Sequence, residues 1–228
     1  MKLNEIVPWG RKLEEYKLMF NLSETDLKAK IIGCGDGPAS FNAEMRKKGY
    51  SVISIDPIYQ FSAAQIKQRI DDTYNVIIAQ VKQNSDGYIW QNFSNPDELG
   101  QVRLETMENF LLDYERGKKE GRYLYQSLPN LALGDDQFQL SLCSHLLFLY
   151  SDQLSLEFHI ASIYELLRIS LEVRIFPLLK LNCEPSPYIE SVIKEFSGKG
   201  FKVEIQPVAY EFQKGGNQML KISKIPLA

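Results

Sequence analysis

Short apolar runs alternate with amphipathic segments along most of the chain. Residues 29–32 are apolar apart from Lys30 and precede a glycine-rich turn, which predicts a buried strand. A helical pattern follows up to about Lys48, with Pro38 suited to its first turn and Gly49 to its end. The β-branched residues 50–56 predict a second strand. Strand, turn, helix and strand in this order predict a βαβ unit and hence a parallel sheet.

This alternation is interrupted between residues 61 and 121. Apolar residues recur there at helical spacing in two segments, namely Ile66, Ile70, Tyr74 and Ile77, and then Leu104, Met107, Phe110, Leu111 and Tyr114. A polar, turn-rich stretch at 84–97 separates the two segments. Because a structureless loop of this length is uncommon in a compact domain, we predict a helical insertion over 61–121.

The α/β pattern resumes after residue 121. The predicted strands are 122–125, 137–143 and 172–178, and the predicted helices are 153–169 and 187–196. Extended runs at 201–212 and 218–223 flank Gly215-Gly216, which predicts an antiparallel hairpin. We therefore expect a single domain over residues 1–228, with a Rossmann-like, doubly wound sheet of seven strands whose last strand is antiparallel.

Composition narrows the class of protein. The chain has 228 residues, is 44% hydrophobic and carries a net charge of −3, which weighs against nucleic acid as a partner. It has no apolar run of about 18 residues that would predict a membrane span. The first five residues lack the apolar core of a signal peptide. Three dispersed cysteines and two histidines form neither a disulfide framework nor a metal-ligand spacing, so we expect a cytoplasmic protein without a metal site.

The turn between the first strand and helix carries the clearest chemistry. Gly33, Gly35 and Gly37 alternate there, and glycine lets a ligand lie directly against the backbone. The helix that follows offers free N–H groups to an anionic group. Asp56 ends the second strand, where a carboxylate can accept hydrogen bonds from both hydroxyls of a ribose.

Four segments resemble the motifs of class I S-adenosylmethionine-dependent methyltransferases. Residues 31–37 resemble their first motif, 54–57 the second, and 126–129 with 135–143 the third and fourth. The resemblance implies a family member of bacterial type with adenosylmethionine as cofactor. The cofactor contacts that it implies are Gly33, Cys34, Gly35, Asp36, Gly37, Asp56, Pro57, Gln126, Ser127, Leu128, Cys143 and Ser144.

Two positions depart from the family pattern. Ile31 stands where the family has an acidic residue two places before the first glycine of the turn. Residues 125–127 lack the Asp that often lies near the adenine amine, and Gln126 or Ser127 could hydrogen-bond the adenine instead. Both departures leave the affinity for the cofactor open.

The resemblance places the end of the fourth strand beside the reactive methyl group. His145 could take a proton from an oxygen or nitrogen nucleophile there, or could simply cap the strand end. Arg11 could pair with the carboxylate of the cofactor, or could lie exposed on a packed helix. The insertion could cover the site and select the acceptor, or could pack on the sheet or form a dimer contact. The oligomeric state stays open.

Two other functions compete with transfer of a methyl group to a small-molecule acceptor. A nicotinamide-dependent oxidoreductase needs the spacing G-x-G-x-x-G, but Pro38 stands where its third glycine would be. A non-catalytic domain of the same fold, which binds adenosylmethionine or a partner protein, is compatible with the motifs, since residues that perform catalysis vary on one fold.

Overall fold

A computed structural model describes residues 6–225 of the chain. The first five residues, on which the expectation of no signal peptide rests, lie outside this range. No helix within residues 6–225 has the length and apolar character needed to cross a membrane. The cytoplasmic location stays a prediction.

The described residues form seven α-helices and seven strands. The helices are α1 (Leu13–Met19), α2 (Glu24–Leu27), α3 (Phe41–Lys47), α4 (Ala63–Gln83), α5 (Pro96–Lys119), α6 (Leu156–Ile169) and α7 (Ile189–Gly198). The strands are β1 (Ile31–Cys34), β2 (Val52–Ile55), β3 (Tyr123–Leu124), β4 (Phe138–Ser144), β5 (Ser170–Phe176), β6 (Lys202–Pro207) and β7 (Gln218–Ser223).

The strands form one sheet in the order β3-β2-β1-β4-β5-β7-β6. Strands β1 to β5 pair in parallel, whereas β7 runs antiparallel to both β5 and β6. The predicted fold class is therefore confirmed, including the antiparallel last strand. The strand order reverses between β1 and β4, and open sheets of this kind bind ligands at such a point.

Two hydrophobic clusters cover the sheet. One joins apolar residues of the central strands to α6 and α7, including Ile163, Leu166, Val192 and Phe196. The other joins strand residues to α1 and α3. All four residues of β1 are buried, as expected for a central parallel strand covered on both faces.

The helical insertion between β2 and β3 is confirmed. Helices α4 and α5 pack against each other, and α5 also contacts α3 and β3. Apolar residues of both helices surround the buried Tyr59 and Tyr123 in a separate cluster. The far end of the insertion forms another cluster, in which Tyr88 and Phe93 pack against Trp9 and Phe212.

Two local predictions were wrong. Helix α3 begins at Phe41 rather than at Pro38, because residues 37 and 38 form a turn. The Gly37 carbonyl accepts a hydrogen bond from the Tyr59 hydroxyl (2.7 Å) instead of from a helical N–H. Strand β6 ends at Pro207, so residues 208–217 form a long connection in place of a tight Gly-Gly turn.

The connection 208–217 leaves the sheet because it pairs with the insertion instead. The Ile89 N–H donates to the Phe212 carbonyl (2.7 Å), and the Lys214 N–H donates to the Gly87 carbonyl (2.9 Å). The rings of Tyr88 and Phe212 stack with their centroids 4.6 Å apart. Phe212 thus packs on the insertion and Tyr210 on Phe176 of β5, and this alternation resembles the pattern of a strand.

Candidate functional site

A cavity of about 490 Å³ opens at the carboxyl ends of the parallel strands. Its wall includes residues from the turns after β1, β2, β3 and β4, at the point where the strand order reverses. The segment before α1, the insertion, the loop after β5 and the connection 208–217 also contribute to the wall. This position and size are typical of a small-molecule site.

The glycine turn after β1 forms one side of the cavity. Gly35 and Gly37 have φ values of +70° and +53°. Residues other than glycine adopt such backbone conformations only at a cost in free energy. A Cβ on Gly35 would lie 2.8 Å from Leu146, so nothing larger fits there. The Gly37 N–H donates to Asp56 Oδ2 (2.9 Å), which joins the turn to the end of β2.

Asp56 lies half-buried opposite that turn. Its Oδ1 accepts a hydrogen bond from the Ile58 N–H (2.8 Å), so each carboxyl oxygen is fixed by one backbone donor. Burial raises the pKa of Asp56 to about 6, although the two backbone N–H groups favour the charged form. Each oxygen keeps a lone pair with which a ligand hydroxyl can bond.

Asp36 is directed beneath the glycine turn, although it also borders the cavity. Its carboxyl accepts hydrogen bonds from the Tyr16 hydroxyl (2.7 Å) and the Ser54 hydroxyl (2.6 Å). Burial raises its pKa to about 7, against these hydrogen bonds. A Cβ on Gly33 would lie 2.0 Å from Asp36 Oδ2, so Gly33 makes room for this carboxyl.

Three residues predicted as cofactor contacts do not reach the cavity. Gly33 packs on Asp36, as described above. Cys34 and Cys143 lie side by side on β1 and β4, and both are fully buried. Burial raises the pKa of both thiols, that of Cys143 to about 12. Gly33, Cys34 and Cys143 thus lie in the packing under the turn, and their contact with the cofactor stays a prediction.

Arg11 borders the cavity and is half-buried rather than exposed. Its Nη1 donates to the Trp9 carbonyl (3.0 Å), whereas its buried Nε has no hydrogen-bond partner. Burial lowers the pKa of Arg11, and the positive charge of the nearby Arg103 lowers it further. A buried donor without a partner is costly, so this guanidinium is suited to an anionic group of a ligand.

His145 also borders the cavity, immediately after β4. Its backbone N–H donates to the Phe176 carbonyl (2.7 Å), and its imidazole Nδ1 lies 3.0 Å from Ser144 Oγ. Burial, followed by Arg11 and Arg103, holds the pKa of His145 well below its usual value. The imidazole is therefore neutral at physiological pH and can act as a hydrogen-bond acceptor.

The remaining predicted contacts lie at the cavity wall beyond β2, β3 and β4: Pro57, Gln126, Ser127, Leu128 and Ser144. Gln126 is held in place because its Oε1 accepts from the Ala132 N–H (2.8 Å). The structure thus brings together, around one cavity, every predicted site residue except Gly33, Cys34 and Cys143.

Sequence reasoning missed part of the wall. Ile77, Val81 and Tyr88 of the insertion border the cavity, as do Tyr210 and Phe212 of the connection 208–217. The first three lie in a segment that was predicted to cover the site but without named contacts. The last two lay within a predicted strand, and no sequence signal distinguished them from sheet residues.

A buried ion pair ties the wall together. Arg103 on α5 donates to both carboxylate oxygens of Glu15 on α1, each at 2.6 Å. The Tyr210 hydroxyl donates to Glu15 Oε1 (3.0 Å). One bidentate pair therefore connects the insertion, the first helix and the connection 208–217.

Comparison with known proteins found similar solved structures and a curated relative. No protein-family model matches the chain. Similar solved structures include magnesium protoporphyrin IX methyltransferase of Synechocystis PCC 6803 with bound SAM, at 13% identity, 89% coverage of this chain, 73% of that chain and a TM-score of 0.45. A SAM-dependent methyltransferase of Methanosarcina mazei is 12% identical, with 90% and 94% coverage and a TM-score of 0.46. At these identities and TM-scores, the likenesses carry no argument about function.

One curated relative is much more similar in sequence. The uncharacterised protein MJ0045 of Methanocaldococcus jannaschii is 37% identical over 225 residues, which are 98% of this chain and 99% of the relative. That organism is an archaeon, so the relative gives no support to the expectation of a bacterial type. An identity of this size over nearly the whole of both chains shows common descent, and the chain belongs to the family of MJ0045.

Proposed function

We propose that this protein binds S-adenosylmethionine in the cavity at the strand ends and transfers its methyl group to a small-molecule acceptor. The observation that carries the proposal is the pairing of Gly37 with Asp56 at the cavity wall (2.9 Å). It presents a carboxylate and a side-chain-free turn to the same ligand, at the reversal of the strand order.

The residues present fit this cofactor. Asp56 would hold the ribose hydroxyls, and a Cβ on Gly37 would point toward that carboxylate, 3.9 Å from Oδ2. Arg11, with its unpartnered buried Nε, would hold the carboxylate of the methionine part. Gln126 or Ser127 would hydrogen-bond the adenine. When bound, adenosylmethionine supplies a methyl group that its sulfonium has already activated.

The protein's own residues would then position the acceptor and exclude water. His145, held at the end of β4 by its bond to Phe176, would accept a hydrogen bond from the nucleophile of the acceptor. The insertion over 61–121, through Ile77, Val81 and Tyr88, would cover the acceptor side of the cavity. Alignment of two bound reactants supplies much of the rate in such transfers.

Ligand-induced stabilisation tests the cofactor. At ligand concentrations about 100 times Kd, a bound ligand stabilises by about 2.7 kcal/mol, which raises Tm by about 5–10 °C for a chain of this size. We expect this shift with adenosylmethionine and adenosylhomocysteine but not with NAD. A shift with NAD alone would show that the proposal is wrong. Binding of adenosylmethionine without turnover of any acceptor would favour the non-catalytic alternative.

A further inference from the structure

Part of the cavity wall is apolar and is formed by residues outside the strands. We call this part the apolar chamber and define it by Ile77, Val81, Tyr88, Leu149, Leu181 and Phe212. Three of these residues come from the insertion, two from loops after β4 and β5, and one from the connection 208–217.

The chamber residues are joined into one continuous wall. Ile77, Val81 and Tyr88 share a hydrophobic cluster against which Phe212 packs. The Leu181 N–H donates to the Leu149 carbonyl (3.2 Å), which joins the two loops. The Gln213 amide donates to the Lys180 carbonyl (2.8 Å), which fixes the connection 208–217 beside Leu181.

The charged residues of the cavity wall are not among the six residues that define the apolar chamber. They are Arg11, Asp36, Asp56 and Arg69. Asp36 bonds Tyr16 and Ser54, and Arg69 is an exposed residue of α4. In the proposed function, Asp56 and Arg11 bind the ribose and the carboxylate of the cofactor. None of the six residues that define the chamber is charged, so the chamber itself offers no ionic partner to an acceptor.

We propose that the apolar chamber binds an uncharged acceptor with a ring-containing, mostly apolar body and a single polar group directed at His145. This inference rests on the proposed function, since it assigns the charged residues to the cofactor. An ionic group on the acceptor would be buried among apolar walls without a partner, which is strongly disfavoured. Aromatic walls such as Tyr88 and Phe212 favour contact with a ring.

Probes that share one ring system and differ in charge test the inference. We would titrate 2-naphthol, 2-naphthoate and 2-naphthylmethylammonium, with phenol and benzoate as a smaller pair, into the protein saturated with adenosylhomocysteine. We expect at least one neutral probe to bind about tenfold or more tightly than its charged counterparts. Tighter binding of the carboxylates, or no binding of either neutral probe, would overturn the inference.

Substitutions that fill the chamber test its location. Val81→Phe on α4 is expected to weaken binding of the neutral probe about tenfold or more and to leave adenosylhomocysteine affinity within about twofold. Val76→Phe, on the same helix at a position that is 54% exposed, is the matched control and should change neither affinity. Leu181→Phe, in a loop, provides a second filling variant if Val81→Phe does not fold.

The outcomes separate this inference from the proposed function. If filling variants that fold bind the neutral probe as well as the wild type does, the chamber is not its site. If the wild type binds the neutral probe but not adenosylhomocysteine, the proposed cofactor is wrong and the charge assignment under this inference fails with it. If it binds adenosylhomocysteine but prefers charged probes, only the acceptor class is wrong.

Discussion

Replacing Asp56 by Asn tests the ribose contact most directly. Asn keeps the shape of the side chain, and its oxygen can still accept from the Ile58 N–H (2.8 Å in the wild type). It loses the charge, and its amide group faces the Gly37 N–H, which now bonds Oδ2 at 2.9 Å. Losing a charge-assisted hydrogen bond costs about 1.5–3 kcal/mol, so affinity for adenosylhomocysteine should fall about 10- to 100-fold.

The pH dependence of this loss makes the test sharper. Since burial raises the pKa of Asp56 to about 6, the wild type is ionised at about pH 8 but only about one-tenth ionised at about pH 5. The protonated carboxyl should bind much as Asn does. The ratio of wild-type to variant affinity should therefore shrink to about 2- to 10-fold at the lower pH. Asp36 also titrates near this range in both proteins, so the ratio, rather than either affinity alone, reports on Asp56.

Titration calorimetry with adenosylhomocysteine at both pH values would measure these ratios. Asp71→Asn, on the surface of α4 where Asp71 pairs with Lys67 (2.7 Å), is the matched control and should leave affinity unchanged. The reasoning is refuted if Asp56→Asn binds as tightly as the wild type near pH 8. It is equally refuted if the ratio is the same at both pH values, because the carboxylate charge would then have no part in binding.

Three further predictions concern the buried groups Asp36, Arg103 and His145. The folded protein holds the Asp36 proton up to about pH 7, whereas the unfolded chain releases it near pH 4, so the free energy of unfolding should fall by about 4 kcal/mol as pH rises between these values. In urea denaturation, the free energy of unfolding of Asp36→Asn should depend less on pH than that of the wild type. An equal pH dependence in the two proteins would contradict the assignment. Arg103→Met should destabilise the protein by about 3–5 kcal/mol because it removes the bidentate partner of the buried Glu15 carboxylate, and the double variant with Glu15→Gln should recover part of this loss in the same assay. Once an acceptor is identified, His145→Asn should lower the rate of single-turnover methyl transfer about 100-fold, while calorimetry should show unchanged affinity for adenosylhomocysteine. Asn is chosen because it tolerates the φ of +55° at this position. An unchanged rate would show that His145 is a structural residue.

The sequence determined the sheet and the turn at its centre. The apolar run at 29–32, the alternating glycines and the acidic end of the second strand are local patterns, and each reflects the backbone conformation or burial of its own segment. The helical insertion could be predicted for the same reason, since the spacing of its apolar residues follows the helix period. The hairpin at the end of the chain was predicted in direction but not in length.

Only the three-dimensional structure shows which of these residues reach the cavity. Whether a side chain points into a ligand site or into the packing beneath it depends on residues distant in sequence, as with Cys34 beside Cys143 on the neighbouring strand. The departure at Ile31 looked like a missing acid, and only the fold shows a carboxyl, that of Asp36, beneath the same turn. Residues 208–212 alternate like a strand, yet the Phe212 carbonyl accepts from Ile89 of the insertion, because a sequence pattern records which side chains are buried but not what buries them.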